Sequence, residues 1–396
     1  MVLFERTLVK QLKSRLREKR RFIQIVVGPR QTGKTTAVTQ ALRSLKIPWH
    51  FVSADDPALA SREWLSNAWA QARLLQRQRQ AAILVVDEIQ KIPQWSSVVK
   101  QCWDEDTRQN IPLKVVLTGS SSLLIQKGLS ESLLGRFEVL YCPHWNLTEC
   151  RKAFGYTLPD FLFFGGYPGA AALKSNEERW ARYIGASIVE PTISQDILLM
   201  EEVRKPALLR SLFKLGACYS AQELSYTKIL GQLQDAGNTV TLAHYLELLE
   251  KANILCGLPK FSLNKIKVRQ SSPRFMVFDT ALLTYADGVS RRRFLENPEA
   301  RGRLIESAAG AYLLARGREE DFQVFWWRER NNEVDFVLQQ GAKITALEIK
   351  SGRVKKSGGS LEFQKKYPQA LSLIIGSVNF SLEDFLSGKI QLFKAP

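Results

Sequence analysis

FIQIVVGPRQTGKTT, Phe22 to Thr36, decides how the first part of this chain folds. FIQIVV is a run of apolar and β-branched residues, which suits a strand buried on both faces. GPRQTGKTT fits the pattern G-x-x-x-x-G-K-[ST] and is followed by a helical stretch from Gly33 to about Leu45. A strand, a glycine-rich turn and a helix start are the context in which this pattern has a mechanism. Backbone N–H groups from Gly28 to Lys34 can ring a β-phosphate, Lys34 brings a positive charge to the β- and γ-phosphates, and the Thr35 hydroxyl is placed for Mg²⁺. Gly28, Gly33, Lys34, Thr35 and Thr36 are therefore the candidate ATP-binding set.

Further apolar strands follow as WHFVS, AAILVVD and PLKVVLTG, with helical or polar stretches between them. This alternation predicts an α/β domain with a parallel sheet covered on both faces. AAILVVDE ends in Asp87 and Glu88 at the edge of the sheet where ligands bind in such folds. Asp87 is placed to hold Mg²⁺ through water, and Glu88 to act as general base on the attacking water. Together with the glycine-rich turn, this pair points to ATP hydrolysis. VVLTGSSS offers Thr118 or Ser120 as a polar sensor of the γ-phosphate; a helix N-cap at Ser120 to Ser122 is the alternative. LLGRFEVLY sets Arg136 between a helix and a strand, as a catalytic arginine or as a surface one.

GPRQTGKTT, VVDEIQKIP, LTGSSS, LLGRF, WNLTE and FFGGYPGA, in this order, resemble the prokaryotic AAA-type ATPases with a C-terminal domain of unknown function. The likeness covers nearly the whole chain. It implies a AAA+ module over residues 1–150, a helical lid over 151–205, a homo-oligomer with a hexameric ring as one form, and Arg136 acting on a neighbouring subunit. A second sensor arginine in the lid is not located by this likeness; Arg182 is one candidate.

From about 206 to 270 three helical stretches precede the strand-like LCGLPKFSL and the basic KIKVRQ, the outline of a winged helix. Asn238, Thr239, Thr241 and His244 open its third helix, and Lys265, Lys267 and Arg269 fall on the wing. Winged helices hold DNA, and some hold proteins.

The last segment, 271–396, contains EVDFVLQQGAKITALEIKSG, two strands with acids inside them. Glu348 and Lys350 share a strand face because strand side chains alternate, and a hairpin through QQGAK brings Asp335 beside them. With Glu306 on an upstream helix, Asp335 and Glu348 form a candidate Mg²⁺ site with Lys350 next to it. The pattern resembles the PD-(D/E)xK nuclease-like fold, which archaeal Holliday-junction resolvases also use. That likeness implies either phosphodiester cleavage or a domain that only grips DNA. Arginines and lysines at 291–293, 301, 303, 316, 318, 328, 330, 355, 356, 365 and 366 surround it, and one of Trp326 and Trp327 is expected to be free to stack on a base.

The 396 residues carry a net charge of +17, which calls for a polyanionic partner, nucleic acid or an acidic membrane surface. No apolar run reaches membrane-spanning length, and the charged N-terminus does not fit a signal peptide. Five cysteines show no paired metal spacing, so a cytoplasmic setting is expected. The reading is an ATP- and Mg²⁺-dependent motor on DNA, on branched DNA such as junctions or forks, in repair or recombination. An ATP-gated signalling switch and a protein-remodelling ATPase are the alternatives.

Overall fold

The computed structural model describes residues 4–55, 61–119, 133–198, 201, 203–233, 238–263, 272–351 and 358–394. The chain divides into two units, Met1–Pro143 and His144–Pro396.

The first unit is built on five parallel strands: β1 (Ile23–Val27), β2 (Trp49–Ser53), β3 (Ile83–Asp87), β4 (Lys114–Gly119) and β5 (Phe137–Tyr141), in the spatial order β2-β3-β4-β1-β5. β1 and β3 are buried at every position, as strands covered on both faces require. Alternate residues feed two cores. Val26, Ile83, Val85 and Val116 meet Leu8, Leu12, Val38 and Leu42, from the helices Thr7–Arg17 and Lys34–Arg43. Ile25, Leu84, Val86 and Leu117 meet Leu65, Trp69, Val99 and Trp103, from the helices Arg62–Arg79 and Trp95–Arg108. The expected parallel α/β architecture is present. The C-terminal ends of β1, β3 and β4 lie side by side and carry the nucleotide motifs.

In the second unit one continuous core runs from Leu147 to Leu392. The segments expected as lid, winged helix and C-terminal domain are thus packed on one another. GGYPG joins them by close approach: a Cβ on Gly165 would stand 1.8 Å from Asp279 Oδ1, and one on Gly166 would stand 2.2 Å from the Trp145 carbonyl. Helices Pro206–Cys218, Tyr226–Gln232 and Thr239–Lys251 are followed by β6 (Leu255–Leu258) and β7 (Arg274–Val277), paired antiparallel. β7 lies beyond residue 270, the expected end of this segment. Lys265, Lys267 and Arg269 lie outside the described residues.

β8 (Gln323–Glu329), β9 (Asn332–Gln340), β10 (Lys343–Ile349) and β11 (Leu371–Ile375) form a second sheet in the order β11-β10-β9-β8. β9 and β10 are antiparallel and turn at Gly341, whose φ of 59° needs a glycine-like backbone. β8 sends Trp326 and Trp327 to opposite faces, and both are buried, at 1% and 3% exposure. The expected free tryptophan is therefore absent: Trp326 enters the main core, and Trp327 packs on Phe363 beside Phe261. No helix among the described residues is long and apolar enough to cross a membrane.

Candidate functional site

The first site lies where β1 gives way to the helix Lys34–Arg43. A Cβ on Gly28 would stand 2.1 Å from the Cys142 carbonyl oxygen, so only glycine lets the loop pass β5 this closely. Gly33 has φ 86° and directly precedes the helix. The buried Lys34 ammonium donates to the carbonyls of Gly28 (3.0 Å) and Pro29 (2.6 Å), which holds its charge at the loop. Thr35 and Thr36 follow in the first helical turn.

Arg6 supports this loop from behind, and the sequence reading missed it. It is buried and donates to the Thr32 carbonyl at 3.1 Å and to the Pro143 carbonyl at 3.1 Å. Its partners lie 26 and 137 positions away, so nothing local in the sequence marks it.

Asp87 ends β3 and is buried. One of its oxygens accepts from the Thr35 hydroxyl at 3.0 Å, and the other accepts from the Thr118 hydroxyl on β4. Thr118 therefore orients Asp87. Ser120 lies outside the described residues. Glu88 follows in a left-handed conformation (φ 54°) and accepts from the Gln90 side-chain amide at 2.5 Å. Arg136 makes a two-pronged pair with Asp104 of the same chain, at 2.7 and 3.0 Å. Arg182 pairs with Glu178 on the exposed face of its own helix.

This arrangement fits a nucleoside triphosphate with Mg²⁺. Glycine lets the loop lie against the Cys142 carbonyl, a lysine charge stands at the loop, and a hydroxyl faces a carboxylate where Mg²⁺ takes oxygen ligands.

The second cluster surrounds β9 and β10. Asp335 lies on β9, Glu348 on β10, Lys350 just beyond β10, and Glu306 on the helix Pro298–Glu320. Glu348 is 1% exposed. One of its oxygens accepts from the Ser360 N–H (2.9 Å) and hydroxyl (2.5 Å), and the other meets the Lys350 ammonium at 2.9 Å. Asp335 accepts from the Ile349 N–H at 2.7 Å. Between Asp335 and Glu306 stands Arg274, from β7, which the sequence reading did not single out. Its guanidinium donates to Glu306 (3.1 Å), to Glu333 (3.0 Å) and to the Asp335 carbonyl (3.2 Å), and lies 4.0 Å from the Asp335 carboxylate. Its Nε donates to the Ala221 carbonyl at 2.9 Å.

Burial raises the pKa of Glu306 to about 7, with the Asp335 charge adding to the rise and Arg274 opposing it. Burial raises Asp335 as well, against the pull of Arg274. Burial disfavours the Lys350 charge, but Glu348, Asp335 and Glu306 outweigh it and raise its pKa. The D…E-x-K pattern predicts a divalent ion among Glu306, Asp335 and Glu348; in the structure a guanidinium stands beside two of them. Among the described residues no group of three or more His, Cys, Asp or Glu is arranged to hold a metal ion. As arranged, these donors do not fit a divalent ion.

Several cations expected to meet phosphates are matched by acids instead: Arg291 with Asp160 (2.7 Å), Arg292 with Glu296 (2.9 Å), Arg303 with Asp287 (3.3 Å) and Arg316 with Glu320 (2.6 Å). At the start of the helix Thr239–Lys251, Asn238 caps the Thr241 N–H at 2.9 Å, while Thr239 and His244 are exposed.

Residues 20–150 match the AAA domain family. Residues 156–293 match a domain of unknown function (DUF8612), and residues 301–390 match another (DUF4143). The chain thus carries an AAA domain and a DUF4143 C-terminal domain. An uncharacterized protein of Methanocaldococcus jannaschii is 23% identical over 337 residues, which cover 80% of this chain and 72% of that protein. The Aeropyrum pernix ORC1 protein, solved in complex with DNA, aligns with 73% of this chain and 93% of its own at 13% identity and a TM-score of 0.31.

Proposed function

We propose that the chain is an ATP-driven motor acting on DNA. The observation that carries the ATPase half is the Thr35 hydroxyl bonded to Asp87 at 3.0 Å beside the Lys34 charge. Backbone N–H groups of the loop and Lys34 bind the phosphates, Thr35 and Asp87 hold Mg²⁺, Thr118 orients Asp87, and Glu88 takes the proton of the attacking water. When bound, Mg²⁺ neutralises charge on the β- and γ-oxygens. Arg136 serves a neighbouring subunit's ATP in a homo-oligomer, and to do so it leaves Asp104.

Glu88→Gln is expected to bind ATP and lose turnover. Arg136→Ala is expected to lose turnover with both intact carboxylates in place. Mixed together, the two variants should recover part of the rate, because some interfaces then pair an intact Glu88 with an intact Arg136. A mixture that stays inactive while subunits exchange rules out action between subunits.

The DNA half rests on charge and on the second unit's arrangement. Residues 1–143 hold 22 Lys and Arg against 12 Asp and Glu. In the second unit, three helices followed by an antiparallel strand pair support a winged helix that starts near 206 and takes its second strand, β7, from beyond residue 270. A helix crossing an acid-bearing hairpin supports a nuclease-like domain over 271–396 that grips DNA. Junctions or forks are the substrates that such a pairing suits, in repair or recombination. Binding to a four-way junction should weaken with salt by about −0.9 in log affinity per log salt for each duplex phosphate contacted. A flat salt dependence favours the second reading, a protein-remodelling ATPase or nucleotide switch. That reading draws on the third helix, whose exposed face offers Val240 and Glu247 and little positive charge.

A further inference from the structure

We infer that Arg274 is the resident cation of the Glu306–Asp335–Glu333 cluster and that it keeps divalent ions out of it. The inference stands apart from the DNA reading, since it concerns the protein and a metal alone.

Arg274 comes from β7, within the segment 156–293, while every acid it meets belongs to the segment 301–390. The guanidinium is buried and is fixed at both ends. Nε is tied to Ala221, and the two terminal nitrogens reach Glu306 on the helix and Glu333 and Asp335 on β9. A planar fork of five donors holds oxygens at hydrogen-bond distance in separate directions. A divalent ion needs the opposite arrangement, with oxygens converging on one point at about 2.0–2.6 Å. Such an ion at these oxygens would also stand against the guanidinium charge.

The remaining acid is satisfied separately. Glu348 is held by Ser360 and Lys350, so it too is engaged without a metal. Arg274 is thus a bond between two segments of the second unit and a stand-in for the ion that a phosphodiester-cutting site would hold.

The test is Mn²⁺ binding followed by electron paramagnetic resonance on the full-length protein without nucleotide. Wild type is expected to bind no Mn²⁺ that the substitution Asp335→Asn removes. Arg274→Met, which keeps an unbranched apolar stem and removes the guanidinium and its charge, is expected to gain one Mn²⁺ per chain. Adding Asp335→Asn to that variant is expected to abolish the gain. A Mn²⁺ bound by wild type and lost in Asp335→Asn overturns the inference. So does a folded Arg274→Met, checked by circular dichroism, that gains no ion. If Arg274→Met does not fold, the wild-type comparison with Asp335→Asn decides alone: an ion there refutes the inference, and its absence supports it.

Discussion

Lys34→Ala is expected to lower ATP turnover by about 10²–10³-fold, the usual loss when one group that stabilises transition-state charge is removed. Lys34 is buried, and its ammonium stands against the carbonyls of Gly28 and Pro29 inside the loop. Alanine removes the charge placed there by the G-K-[ST] pattern and takes the ammonium donor from the Gly28 and Pro29 carbonyls, of which Pro29 keeps the Thr32 hydroxyl. Because that charge meets the β- and γ-phosphates in the ground state too, nucleotide binding should weaken along with turnover. This separates the variant from Glu88→Gln, which is expected to keep binding. Phosphate release and binding of a fluorescent ATP analogue measure the two effects. Wild-type turnover in Lys34→Ala would remove this loop from the reaction.

The second large effect is on stability. Arg274→Ala is expected to destabilise the second unit by about 3–5 kcal/mol, the range for breaking a buried pair and leaving charge uncompensated. Glu306 and Asp335 would lose the guanidinium between them, Glu333 would be left with Arg328, and the Ala221 carbonyl would lose its donor. The pH dependence has a definite sign. Glu306 is already raised to about 7 in the folded chain, chiefly by burial. Its contribution to stability is therefore full below its unfolded pKa and is lost as pH rises through about 7. Arg274 opposes that rise, so its removal should deepen the loss. The deficit of Arg274→Ala is accordingly expected to be smallest in mild acid and to grow with pH. Denaturant unfolding across that range measures it, and a deficit below about 1 kcal/mol at every pH would show the arginine to be dispensable.

The nucleotide site was legible in the sequence because phosphate binding is a local demand. A glycine-rich loop, a lysine and a hydroxyl must follow one another closely, and Gly28 to Thr36 supplies them in order. Asp87 was legible for a similar reason, as the last residue of a fully buried strand. The partners that fix these groups were not. Arg6 reaches the loop across 26 residues, and Arg274 reaches Glu306 across 32 and the Asp335 backbone across 61. Neither arginine differs in its neighbourhood from the many exposed ones.

Alternation put Trp326 and Trp327 on opposite faces, as found. It could not say that both faces are covered, one by the main core and the other by Phe261, Phe363 and Tyr367. The hairpin of β9 and β10 followed from Gly341 and the two flanking apolar runs. What fills the space between its acids depended on a strand beginning at Arg274, past the boundary at which the preceding segment was expected to end.

ATP hydrolysis by the wild-type protein, measured at low salt with and without four-way-junction or duplex DNA, decides whether the chain is a motor that acts on DNA. The rate is expected to rise several-fold with DNA, to fall back as salt is raised, and to drop about 10²–10³-fold in Lys34→Ala. A rate that is the same with and without every DNA form at low salt, from protein that hydrolyses ATP, would contradict that role.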